Sequence, residues 1–458
     1  MSLFDAIRNR PSAPCRPWPR TLLDPPAWRA MAAALATDPS LDLLAQWGDV
    51  AAVHALLRDP ATGTLLPVSV PTESGFYPTL SRARPAAAWF ERMIRDLWGH
   101  HAEDGRDGRP WLDHGAWALH APLSARPVAV PDQPEAPEFL PAIEGTLKLP
   151  LGPILPGFAE PAQLRVAVAG DRIARLEGRL GFAHKGTLSL LRGKSPRAAA
   201  RFAARLAGDA TVAHSLAFAR AAEAASGTPP PPRALALRAA MAEIERIASH
   251  LADLGRIAAP AALARLQEGI ARAAGSAFGH RLMMDAVVPG GVESDLAADG
   301  AAAIGAAVAQ VREALPALRR RFDDAGHLAG LGVLRPEVAR ALAVDDAAGD
   351  VAARVARRLE ALGGSTARLG EMLAALPDGR LRADLPPSTG EGIGAADGAR
   401  GEVFHMLRLE GGQIVAAFAA DPGWRLWPAL EAAAAGTTLA DLDVVVASFG
   451  VSVAGMDL

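Results

Sequence analysis

The chain has 458 residues, enough for two or three domains with a sizeable core, and half of them are hydrophobic, which excludes a disordered polypeptide. A net charge of −3 argues against a dedicated nucleic-acid binder, which would carry a basic stripe or patch. The single cysteine, Cys15, excludes an internal disulfide, a cysteine zinc site and an iron–sulfur cluster held by this chain's own thiolates.

The first stretch, MSLFDAIRNRPSAPCRPWPR, alternates charge with proline and lacks an apolar run, so no secretory leader is expected in it. Residues 1–40 read as an irregular arm. Residues 41–125 read as a small α/β unit, with a β-like run at 63–71 (GTLLPVSVP) and a helix at 85–98 (PAAAWFERMIRDLW). Pro85 stands near the helix start and Gly99 just past its last apolar turn. The proline-rich stretch from 126 to 144 predicts an extended linker.

From 145 to 458 a mainly helical domain with a small β region is expected, giving an α+β chain overall. Gly170 and Asp171 lie between two alternating runs and predict a hairpin within 163–182. Ser195–Pro196 opens a helix, and apolar spacing predicts further helices over 232–257, 262–276, 298–325 and 335–375. The end, LDVVVASFGVSVAGMDL, reads as a buried strand followed by a short tail. The apolar stretch AAAIGAAVAQ (301–310) is too short to cross a membrane.

On the helix at 232–257, Glu243, Arg246 and His250 fall at i, i+3 and i+7, on or near one face, while Glu245 points toward another. Spacing alone favours a solvated ion pair there, and burial would favour function. His184 in GFAHKG sits between a strand and a helix. FGHR with Pro289–Gly290–Gly291, and ARGEVFH with Arg400, Glu402 and His405, are weak signals taken singly. No HExxH, CxxC, phosphate-binding glycine loop or GxSxG elbow is present.

In order, GFAHKG, ARLAGDATVAHSLAFARAAE, PRALALRAAMAEIERIASHLADLG, FGHR…VVPGGVESDL, ARGEVFH and VVVASFGVSVAGMDL resemble one family across residues 145–458. It comprises the large subunit of nickel–iron hydrogenases and the D-type subunit of respiratory complex I, the nearest branch being the membrane-bound, energy-converting hydrogenases. In that branch an opening segment has the form GPxHxGxxEP, here GPILPGFAEP (152–161). WFERMIRDLWG (89–99) resembles the C-type subunit, so the resemblance implies a C-type unit fused ahead of a D-type domain.

The resemblance also says what is missing. The family's metal motifs read RxCGxC…H and DPCxxC; here Arg205, Gly208 and His214 match, but the four thiolate positions fall on Ala207, Ala210, Ser452 and Gly455, which excludes a nickel–iron site. The quinone-contacting histidine of D-type subunits falls on Leu155, and residues 205–214 contain no tyrosine, leaving His184, Asp209 or His214 as substitutes at a quinone cavity. Glu243, Arg246 and His250, with Arg281 and Glu402 as further charges, are the implied coupling group. The resemblance implies a peripheral-arm subunit on the cytoplasmic face of the inner membrane, with no membrane span, no cofactor bound by this chain and no nucleic acid. Its implied partners are an iron–sulfur small subunit holding a 4Fe–4S cluster and integral membrane subunits. A quinone-binding oxidoreductase subunit and a purely structural adaptor are the alternatives.

Overall fold

The computed structural model describes residues 2–155, 158 and 160–458. Of the GPILPGFAEP segment, Pro156, Gly157 and Ala159 therefore lie outside the described residues. The fold is mixed α+β.

Helix α1 (Leu3–Arg8) leads into β1 (Ser12–Ala13), β2 (Arg20–Leu22) and α2 (Pro25–Thr37), followed by β3 (Asp42–Gly48), β4 (Ala52–Arg58) and β5 (Leu65–Pro71). These strands form one five-stranded sheet in the order β1-β2-β5-β4-β3, with β2 parallel to β5. Residues 1–40 are thus no separate arm. Their proline spacing hides a strand, and burial of Leu23, Trp28, Met31 and Leu35 ties the segment into the core.

Helix α3 (Ala87–Trp98) ends at Gly99, whose φ of 74° makes the left-handed stop that glycine adopts without strain. Its charges face inward for a structural reason. Glu91 accepts from the Thr79 hydroxyl and the Leu80 and Ser81 amides, and Asp96 accepts from the Trp111 and Leu112 amides. Two small pairs follow: β6 (Phe76–Pro78) with β7 (His101–Glu103), and β8 (Leu119–His120) with β9 (Val128–Ala129).

Next comes the antiparallel sheet β10 (Leu147–Leu151), β11 (Gln163–Ala169) and β12 (Arg172–Arg179), turning at Gly170–Asp171 as the hairpin signal predicts. The helices are α4 (Thr187–Leu191), α5 (Pro196–Ala203, capped by the Ser195 hydroxyl), α6 (Thr211–Ser226), α7 (Pro232–Ile257) and α8 (Pro260–Phe278). Pro289–Gly290 turns a short hairpin, β13 (Val287–Val288) and β14 (Gly291–Val292), before α9 (Gly300–Asp323). The helix expected over 335–375 is two, α10 (Pro336–Ala341) and α11 (Val351–Ala374), because Ala343 and Gly349 take positive φ and the Asp350 side chain caps a new start.

The last sheet, β15 (Gly390–Gly398), β16 (Gly401–Glu410) and β17 (Gln413–Ala420), lies directly on α6. Gly390, Gly392 and Gly394 recur at the strand period of two. A Cβ at any of them would strike the α6 carbonyls of Ala225, Ala221 and Ala217, which recur at the helical period of four. The alanines of α6 and the glycines of β15 therefore let two backbones approach, which carries the β15–β16 turn to the α6 N-terminus.

The chain closes with α12 (Gly423–Ala434), α13 (Leu442–Phe449) and α14 (Ala454–Asp457). The terminal strand expected from VVVAS is a helix. Leu442, Val445, Val446 and Phe449 are buried at i, i+3, i+4 and i+7, and Gly450 ends the helix at φ 66°. The first sheet joins the last one through Trp47 stacked on Phe418 and a bidentate Arg20–Glu391 pair, so both share one apolar core. No helix among the described residues is long and apolar enough to cross a membrane.

Candidate functional site

The loop ARLAGDATVAH (204–214) joins α5 to α6. Ala210, at the α6 cap, has no side-chain acceptor for the free amides of the first turn. Glu245 supplies it from α7, accepting from the Val212 (2.5 Å) and Ala213 (3.0 Å) amides. Burial pushes the Glu245 carboxyl up to about 7 against the pull of those two donors.

Lys185 crosses from the β12–α4 loop to join this loop to the C-terminal segment, its ammonium donating to the carbonyls of Leu206 (2.6 Å) and Ala454 (3.4 Å). Asp457 ties the same region from the other side by accepting from the Gly181 and Ala183 amides, and burial pushes its carboxyl up to about 6. His184 donates from Nδ1 to the Asp457 carbonyl and packs on Trp117.

Between the loops is a cavity of about 20 Å³, lined by Asp209, Ala210, Arg400, Asp421 and Ser452 among others. Two of the four vacated thiolate positions, Ala210 and Ser452, line it. Gly455 packs against the Asp421 carboxyl, which forms part of the wall, and Ala207 is fully buried behind the loop with its carbonyl accepting from Ala210. The residues present do not fit a nickel–iron centre. They offer no thiolate, a carboxyl closes the fourth position, and a lysine ammonium spans the two loops. Among the described residues no group of three or more His, Cys, Asp or Glu is disposed to hold a metal ion. The cavity also has room for about one water molecule and none for a quinone headgroup. Of the three residues predicted at a quinone cavity only Asp209 lines it.

His214 is fully buried, with Nδ1 3.0 Å from His405 Nε2 and Nε2 3.2 Å from the Asp421 carboxylate. His214 Nε2 donates to the Asp421 carboxylate, which can only accept, and so orients the ring toward His405. Burial holds His405 well below the usual imidazole range. Burial alone would raise Asp421, but the His214 hydrogen bond and the Gly423 amide bring it below the usual carboxylate range.

The other wall leads into α7. Arg400 pairs with Asp209 and, through Nη2 at 2.9 Å, with Asp253, to which Arg358 stands at 3.5 Å. His250 lies one turn before Asp253, and burial followed by the Arg358 charge pushes it down to about 4, so it is neutral at physiological pH. Glu243 is buried between Arg246 (2.9 Å) and Arg368 (3.0 Å); these charges and hydrogen bonds lower its carboxyl against the opposing effect of burial. The structure thus brings Glu243, Arg246 and His250 to one side of α7, as their spacing predicts. Glu402 pairs instead with Arg58 of β4 at 2.5 Å. Arg281 stands apart, in an exposed pair with Glu268 of α8, because the chain turns at Gly279 before reaching it. Sequence reasoning missed Lys185, Asp253, Arg358 and Asp421. Only Asp253, three residues after His250, carried a spacing signal.

Helices α6 and α7, the α6-bound meander and the C-terminal segment converge on one small cavity whose wall carries Asp209, Arg400 and Asp421. No family model matches the chain. It is 26% identical over 370 residues to the alpha subunit of the membrane-bound hydrogenase of Pyrococcus furiosus, spanning 67% of this chain and 86% of that protein. To hydrogenase-4 component G of Escherichia coli it is 26% identical over 443 residues, spanning 88% and 80%. To NADH-quinone oxidoreductase subunit 4 of Thermus thermophilus it is 26% identical over 211 residues, spanning 42% and 50%. The relatives it matches are subunits of membrane-bound hydrogenases and of NADH-quinone oxidoreductases, consistent with the family of hydrogenase large subunits and complex I D-type subunits.

Proposed function

We propose that this chain is a peripheral-arm subunit of a membrane-associated, hydrogenase-related or complex-I-like oxidoreductase, in which the emptied metal cradle serves proton or conformational coupling. In this reading residues 41–125 act as the C-type unit and 145–458 as the D-type domain. The 4Fe–4S cluster belongs to an iron–sulfur small subunit, integral membrane subunits complete the assembly, and the chain docks on the cytoplasmic face without binding a cofactor.

One observation carries the coupling reading. Arg400 belongs to the wall of the cavity and, through Asp253, to the charged side of α7. A charge entering that cavity therefore changes the field at Arg358 and His250 through Arg400 and Asp253. The test is to replace Glu243 and Arg246 separately by Ala and measure ion transport in the assembled complex. Lost transport with intact assembly supports coupling. Normal assembly with normal transport overturns it, and lost assembly favours the structural adaptor.

A further inference from the structure

A second opening, a cleft of about 900 Å³, runs between the end of β4, the α10–α11 turn, helix α11 and the β15–β16 turn. Its wall is rich in arginine, and these arginines are not alike. Arg58, Arg246, Arg368 and Arg400 spend their charge on carboxylates already described. Among the described residues Arg354, Arg357 and Arg425 have no carboxylate partner; their hydrogen bonds go to backbone carbonyls and, for Arg354, also to the Ser448 hydroxyl. Arg358 shares the Asp253 carboxylate with Arg400, standing 3.5 Å from it through Nε. Nδ1 of His250 and Nε of Arg357 are buried with no hydrogen-bond partner, and Arg358 Nε has only that carboxylate. Burial, then repulsion from Arg358 and Arg357, pushes Arg354 down to about 9, still charged at neutral pH.

Buried donors left without acceptors are costly, and uncompensated guanidinium groups side by side repel. Both costs are relieved by one kind of guest, an oxyanion of more than one charge. Guanidinium forks match phosphate bidentately. The cleft is far larger than a bare phosphate and lies in the range of pockets for small organic ligands. Asp346, Glu360 and Asp397 also face it, which penalises an extended polyanion more than a compact one.

We infer that this cleft binds a compact phosphate group, carried by a small soluble ester or by a lipid headgroup, on Arg357, Arg358 and Arg425 with His250 Nδ1 as a further donor. The inference shares His250 and Arg358 with the coupling reading but is tested apart from it, since pyrophosphate binding is read on the chain itself whether or not the assembled complex moves ions.

The test is calorimetric titration of the full chain with inorganic pyrophosphate, alongside flotation with vesicles containing phosphatidylglycerol or only phosphatidylcholine. Saturable 1:1 binding of pyrophosphate is expected, weakened about tenfold in R357Q and in R358Q and unchanged in R320Q on the exposed side of α9. Thermal melts and circular dichroism confirm that each variant is folded, and R357Q covers the case in which R358Q fails to fold. Selective flotation with phosphatidylglycerol that is lost in R357Q, without pyrophosphate binding, identifies the lipid as the phosphate source. No saturable binding to any probe, equal binding by the folded variants, or binding of a hexaglutamate peptide in place of pyrophosphate overturns the inference.

Discussion

The Asp421 carboxyl occupies the space into which any side chain at Gly455 would grow. The same carboxyl accepts from His214 and from the Gly423 amide, so it is held in place by its own hydrogen bonds. Gly455→Ala is expected to destabilise the fold by about 1–3 kcal/mol through overpacking. In an Asp421→Ala background the same change should cost less, a coupling readable from a thermal double-mutant cycle. Equal costs in both backgrounds would mean that the carboxyl does not close this position.

Metal content follows from the same geometry. Purified chain should contain no stoichiometric nickel or iron by elemental analysis, since the four positions offer two methyls, a hydroxyl and a hydrogen in place of thiolates. One nickel per chain would overturn the account of the cradle.

Glu245 gives a pH dependence of definite sign. Its carboxyl is raised from 4.5 to about 7 in the fold, so the folded state binds the proton more tightly than the unfolded one. Its favourable contribution is full below pH 4.5 and is lost as pH rises through 7. Wild type should therefore lose stability relative to Glu245→Gln between pH 5 and 8, by up to about 3 kcal/mol. Denaturant titrations at the two pH values measure this. His250 has the opposite sense: its folded value of about 4 lies below the unfolded 6.5, so its contribution is lost as pH falls through that window.

Asp253 is fully buried between Arg400 and Arg358. Asp253→Asn leaves two guanidinium groups without their counter-charge and should cost about 3–5 kcal/mol. Arg246→Ala removes a partly exposed pair and should cost about 1 kcal/mol or less. Urea unfolding of both variants checks the ranking, and a smaller loss for Asp253→Asn would show that the Arg400 cluster is not what holds the cavity wall to α7.

Sequence alone determined the periodic elements and the chemistry that is absent. Helical spacing predicts α7 and the shared side of Glu243, Arg246 and His250. The order of motifs points to the family, and four residue identities exclude thiolate ligation. These are local or identity-level facts, carried by residues a few positions apart. Tertiary structure decided which charges meet. Lys185 reaches Leu206 and Ala454, Asp421 stands on Gly455, and Arg400 bridges Asp209 to Asp253, each across a separation no spacing rule encodes. Packing also decided against the terminal strand, because α13 finds its apolar partners at the helical period. Burial sets the protonation of Glu245 and His250, and burial is a property of the whole packed chain that no single segment contains.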